Sequence, residues 1–150
     1  MADLTIRGIP ERFYRASRDR DVEGALSLID EDVDWLVQGP VDVFPFLGQR
    51  RGRAAVREGY REIARKLEVT GYDLETLLID GMRSAALIRF SAIVRASSRL
   101  MSVRTSQFAR WHGGRIVEMR AVIDTYDMVE QTLGRSLGAA REDTEPFVFA

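Results

Sequence analysis

Asp124 is the carboxylate in this 150-residue chain best placed to exchange a proton. It closes the last strand-like segment, and an apolar surround there would raise its pKa by penalising the charged form. The same position, directly before Thr125 and Tyr126, also suits the N-cap of a terminal helix. Gln107 falls on the alternation Val103, Thr105, Gln107, Ala109, Trp111, which directs its amide to the half-buried face of a strand. There it either fixes a ligand carbonyl or bonds to backbone or water. Asp42, in an apolar loop, reads as an exposed residue before it reads as a substitute base. Arg89 reads as an outer-face arginine, and Arg50, Arg51 and Arg53 read as a solvated basic cluster ahead of a helix. His112 is the only histidine. It sits in a turn beside Gly113 with no acidic or histidine partner at metal-ligand spacing, so neither a metal site nor a catalytic imidazole is expected. No glycine-rich phosphate cradle appears, and no cofactor is expected.

The elements that must carry these groups are helical first and strand-like afterwards. Ile9, Phe13 and Ala16 share one face of a first helix that Pro10 begins. Asp21 reads as the N-cap of a second helix with Val22, Ala25, Leu26 and Ile29 at helical spacing. Val33 to Val37 reads as a short strand broken by Gln38-Gly39-Pro40. The loop that follows carries Val41, Val43, Phe44, Phe46 and Leu47, too apolar for a solvated connection. Val56, Tyr60, Ile63 and Leu67 define the buried face of a third helix, and Gly71 is expected to end that region. Tyr72 to Ile79, Ser84 to Arg95, Leu100 to Trp111 and Arg115 to Ile123 then read as four strands of an antiparallel meander. In the last strand Val117, Met119, Ala121 and Ile123 share the inward face. The reading is α+β: three helices packed on a curled sheet that encloses a pocket.

Composition narrows the partners. The chain carries 22 basic and 23 acidic residues for a net charge of −1, which supplies no field for phosphate backbones or anionic lipid. Nucleic acid and membrane are not expected as partners. The absence of cysteine removes disulfides and thiol chemistry and is compatible with the cytoplasm. With no secretory start and no apolar run approaching the roughly 20 residues of a membrane span, a cytoplasmic protein is expected. Residues 1–133 are expected to form one domain, and 134–150 a tail that docks on it, docks on a partner subunit, or frays.

Five segments, in order, carry a family resemblance. They are Arg12-Phe13-Tyr14-Arg15-Ala16; Asp21-Val22-Glu23-Gly24-Ala25-Leu26; Asp32-Val33-Asp34-Trp35; Gly52-Arg53-Ala54-Ala55-Val56; and Gly114 to Arg120 followed by Asp124-Thr125. Together, over roughly residues 8 to 133, the chain resembles the SnoaL-like and ketosteroid-isomerase-like branch of the nuclear transport factor 2 superfamily. The resemblance implies a cone-shaped α+β barrel with three helices on a strongly bent antiparallel sheet. It also implies a pocket at the open end and a homodimer formed through the outer sheet face.

The catalytic positions transfer poorly. The oxyanion tyrosine of the isomerases falls on Phe13, and the neighbouring Tyr14 is turned about 100° away on a helix. Their base falls near Val37 to Gly39, where no carboxylate stands, and their protonated acid falls near Gln107. The Arg-x-Asp pair of epoxide-hydrolase relatives reads Arg89-Phe90-Ser91, with Ala121 in place of a second aspartate. The cyclases of this branch use an acid near the end of the sheet, which Asp124 matches. Two readings stay open. One is cofactor-free isomerase, cyclase or hydratase chemistry on a hydrophobic cyclic substrate. In it Asp124 exchanges the proton, Gln107 and Tyr14 polarise a carbonyl, and Phe13, Trp35, Phe44, Phe46, Tyr60 and Met119 form the substrate wall. The other is a non-catalytic ligand-binding or dimerisation module of the same fold.

Overall fold

The computed structural model describes residues 8–134; the tail expected over 134–150 lies outside them, apart from Gly134. Helices form where apolar residues recur every three or four positions. α1 (Gly8–Arg18) turns Phe13 into the core and holds Pro10 in its first turn, where a missing N–H breaks no helical bond. α2 (Val22–Ser27) is capped by Asp21, whose carboxylate accepts a hydrogen bond from the Gly24 N–H at 2.9 Å. α3 (Arg53–Lys66) buries Val56 and Gly59. α4 (Thr125–Leu133) begins on Asp124, whose carboxylate accepts from the Asp127 N–H at 3.1 Å.

The strands are β1 (Ile29–Gln38), β2 (Gly48–Arg51), β3 (Leu67–Asp80), β4 (Arg83–Val94), β5 (Arg99–His112) and β6 (Arg115–Ile123). They form one curved, unclosed sheet in the order β2-β1-β6-β5-β4-β3. β3 to β6 are the expected antiparallel meander, and Gly113 and Gly114, both at positive φ, make its last turn. The sheet is not wholly antiparallel, because β1 lies parallel to β6. Closing that pair needs the whole chain between Gln38 and Arg115, so local pattern does not reveal it.

Three other expectations are corrected. Ile29 and Leu67 are the first residues of β1 and β3 rather than the last turns of helices. Gly71 ends nothing: it stands inside β3 opposite Ser91, at one of two register shifts in the β3–β4 pairing. Arg50 and Arg51 belong to β2, an edge strand paired with β1, and not to a solvated loop.

Two buried clusters fill the space between helices and sheet. One joins Phe13, Tyr14, Leu26, Trp35, Val56, Ile88, Trp111 and Met119; the other joins Phe44, Phe46, Leu47, Leu67, Met101, Val103 and Met128. The apolar loop after β1 therefore packs inward through Phe44, Phe46 and Leu47, while Val41 and Val43 stay exposed. Among the described residues no helix is long and apolar enough to cross a membrane.

Candidate functional site

A cavity of about 440 Å³ lies between the inner sheet face and the three preceding helices. Its wall is mainly apolar: Phe13 and Ala16 of α1, Trp35 and Val37 of β1, Phe46 and Leu47 of the loop, Val56 and Ile63 of α3, and Phe90, Val103 and Ala121 of the sheet. Trp35 and Tyr60 meet edge to face at 6.4 Å and give one side a rigid aromatic surface.

The polar groups on this wall are few, and those inside are neutral. Tyr72 reaches the cavity from β3, where it pairs with Phe90 of β4. Gln107 stands on β5 between Ala86 of β4 and Ala121 of β6. Two small neighbours leave its amide room that a larger pair would fill. Burial raises the pKa of the Tyr72 hydroxyl, an effect that the neighbouring Gln107 and then Ser17 side chains partly offset. Tyr60 is raised by burial and then by the field of Tyr72. These hydroxyls are therefore hydrogen-bond donors throughout the physiological range. Gln107 Oε1 is buried without a hydrogen-bond partner.

Charge is confined to the margin or is already neutralised. Asp21 and Glu68 line the cavity but are exposed; the first caps α2, and the second lies 4.0 Å from Arg95. Arg50 lines the wall with its two Nη atoms engaged and its Nε buried without a hydrogen-bond partner. It donates to the carbonyls of Ala55 at 3.2 Å and Pro45 at 3.0 Å and pairs with Glu62 at 3.2 Å, tying the loop to α3. A Cβ on Gly59 would lie 2.9 Å from Arg50 Nε, so glycine is what lets this side chain lie against the helix.

Of the residues singled out by sequence, Phe13, Trp35, Phe46, Tyr60 and Gln107 come together on the cavity wall. Tyr14, Phe44 and Met119 are buried in the two core clusters and are not among the cavity-lining residues. Tyr14 is turned off Phe13 by its helical step, and its hydroxyl is buried without a hydrogen-bond partner, its pKa raised by burial and then by Tyr72 and Tyr60. Asp124 is exposed, lies outside the cavity and caps α4. Asp42 and His112 are exposed. Arg89 sits on the outer face, 3.3 Å from Glu75. Sequence reasoning passed over Tyr72, because the two register shifts in β3 break the alternation that would have placed it inward.

A helix-backed, curved sheet around an apolar cavity is the nuclear transport factor 2-like fold. The SnoaL-like domain model matches residues 11–119. The chain belongs to the SnoaL-like family. Among solved structures, it is 36% identical to a "Putative Isomerase" from Rhodopseudomonas palustris over 90% of this chain and 100% of that one, with a TM-score of 0.76. An NTF2-like protein of unknown function from Burkholderia pseudomallei shares the fold at 20% identity, over 84% of this chain and 95% of that one, with a TM-score of 0.76. A protein of ketosteroid isomerase-like fold from Catenulispora acidiphila, in complex with trimethylamine, shares it at 12% identity, over 85% and 92%, with a TM-score of 0.70. No curated protein matches the sequence.

Proposed function

We propose that this chain binds a hydrophobic, ring-containing small molecule and anchors it by hydrogen bonding at the Tyr60–Tyr72–Gln107 wall. The observation that carries this reading is the character of the polar groups inside the cavity. Ser17, Tyr60, Tyr72, Thr105 and Gln107 are all neutral, while the carboxylates that line it are exposed and engaged elsewhere. An apolar cavity with a few convergent polar groups is the usual form of a small-molecule site. The fluorescent, uncharged probe N-phenyl-1-naphthylamine tests it. Saturable binding at one site per chain is expected, with at least a tenfold loss in Val103→Trp, which fills the cavity from β5. Unchanged binding in that variant would place the probe elsewhere.

A second reading, cofactor-free isomerisation or cyclisation, is favoured by the 36% identity to the Rhodopseudomonas palustris protein. In it Tyr72, kept protonated by burial, donates to a ligand carbonyl while Gln107 orients it, and water admitted at the cavity margin takes the carbon-bound proton and returns it at the new position. Asp124 is then a helix cap and not the proton carrier. On any substrate turned over, Tyr72→Phe is expected to lower kcat by about a hundredfold or more, and Asp124→Asn to leave it unchanged. The reverse pattern would return the proton transfer to Asp124.

The outer sheet face is the homodimer surface in both readings. Leu78, Phe108 and Val122 stand exposed there, and Phe108→Glu is expected to convert a dimer to a monomer in light scattering.

A further inference from the structure

We propose that Arg20 receives an anionic group at the margin of the cavity, so that the ligand is an amphiphile with a hydrophobic ring system inside and a carboxylate at its solvent end. This rests on the small-molecule reading above and adds the charge of the ligand's outer end. The argument starts from the turn that joins α1 to α2. The Asp21 N–H closes back on the Ala16 carbonyl at 2.9 Å, and the Arg20 N–H on the Ser17 carbonyl at 3.2 Å. That closure sets Arg20 at a φ of 58°, the left-handed position usually given to glycine where a helix ends in this way, because a Cβ is strained there. Among the described residues, Arg20 and Ser98 are the non-glycine residues at positive φ, and of the two Arg20 lines the cavity. A side chain held at such a cost beside a cavity points to a use for it.

The charges around it leave Arg20 available. Arg20 and Asp21 come to the margin from the α1–α2 turn, Glu68 from the start of β3 and Arg95 from the end of β4, and all four are exposed. Asp21 folds onto the start of α2, where its carboxylate accepts from the Gly24 N–H at 2.9 Å. Asp19, the preceding acid, pairs with Arg18 at 2.9 Å. Glu68 lies 4.0 Å from Arg95, which also donates to the Ala64 carbonyl at 3.0 Å. The Arg20 guanidinium makes no ion pair and no hydrogen bond with a described residue. Its planar fork matches a carboxylate with two parallel N–H donors. A carboxylate held at the exposed margin keeps part of its hydration, whereas one driven to the tyrosine wall would lose it.

Three probes with one ring system test the proposal: 1-naphthalenebutanoate, its neutral primary amide and the cationic 1-naphthalenebutylamine, titrated calorimetrically into the full chain at neutral pH and low salt. The acid is expected to bind about three- to fivefold tighter than the amide, as an exposed ion pair allows, with the amine weakest. The gap is expected to close at high salt, because the pair lies within reach of counterions. In Arg20→Gly the acid and the amide are expected to converge while the amide's affinity stays as it was. The urea midpoint of that variant is expected to hold or rise, because glycine takes the left-handed position without strain. Arg20→Lys, which keeps the charge, is expected to keep the preference for the acid. Equal binding of acid and amide by the wild-type chain, tighter binding of the amine, or a preference that survives in Arg20→Gly overturns the proposal while leaving the small-molecule pocket standing. Failure of all three to bind overturns both.

Discussion

The two faces of β5 show how one strand serves opposite purposes. Met101, Val103, Thr105, Ala109 and Trp111 point inward and are buried, while Leu100, Ser102, Arg104, Phe108 and Arg110 point outward and are exposed. On the outer face charge is paired in water's reach: Arg89 and Arg104 flank Glu75 at 3.3 and 3.1 Å, and Arg120 holds Asp34 at 2.6 Å. On the inner face no ion pair is made by β5, and its polar groups are a threonine, an amide and an indole. The indole N–H of Trp111 is satisfied by Ser84 Oγ at 2.9 Å. The difference teaches that this sheet keeps its ion pairs on the water-facing side, while the inner face of β5 carries neutral polar groups.

Substitutions on either side sharpen the contrast. Met119→Ala, at 0% exposure, is expected to cost about 2–5 kcal/mol in denaturant unfolding, through lost burial and a residual void. Asp124→Ala is expected to cost about 1 kcal/mol by removing the α4 cap, with probe affinity unchanged. A loss of binding in that variant would mean Asp124 reaches the ligand after all.

The pH dependence separates the faces again. Tyr60 and Tyr72 have raised pKa values in the folded chain, so their contribution is complete below the unfolded value of about 10 and is lost as pH rises beyond it. Tyr72→Phe should flatten that alkaline limb. Asp34 on the outer face is held low by hydrogen bonds from Arg120 and then Gln49, so its contribution is present above the unfolded value of about 4 and is lost as pH falls. Asp34→Asn should therefore matter at pH 7 and fade in acid. Smallest of all, Arg104→Ala is expected to change stability by no more than about 0.5 kcal/mol, as exposed ion pairs do.

Much of the architecture was legible because local period and turn chemistry agree with the final packing. Val56, Tyr60 and Ile63 marked the face of α3, the Gly113-Gly114 turn marked the β5–β6 hairpin, and Asp21 marked a cap that forms as expected. What escaped was set by pairing across the chain. Gly48–Arg51 has no apolar alternation and is a strand only because β1 is beside it. Gly71 looked like a stop because a glycine in a strand resembles a turn until its partner Ser91 is known. The site divided in the same way. Phe13, Trp35, Phe46, Tyr60 and Gln107 were readable from face and residue type. Tyr72 was hidden by the register shifts in β3, while of the two roles readable for Asp124, proton carrier and helix cap, the cap is the one whose hydrogen bond forms.

The most direct test is a crystal structure of the full chain grown with 2-naphthol. The account predicts the ring between Trp35, Tyr60 and Phe90 with its oxygen at the Tyr60–Tyr72–Gln107 wall. Density for the probe on the outer face, or with its oxygen turned to the margin beside Glu68 and Arg95, would contradict it.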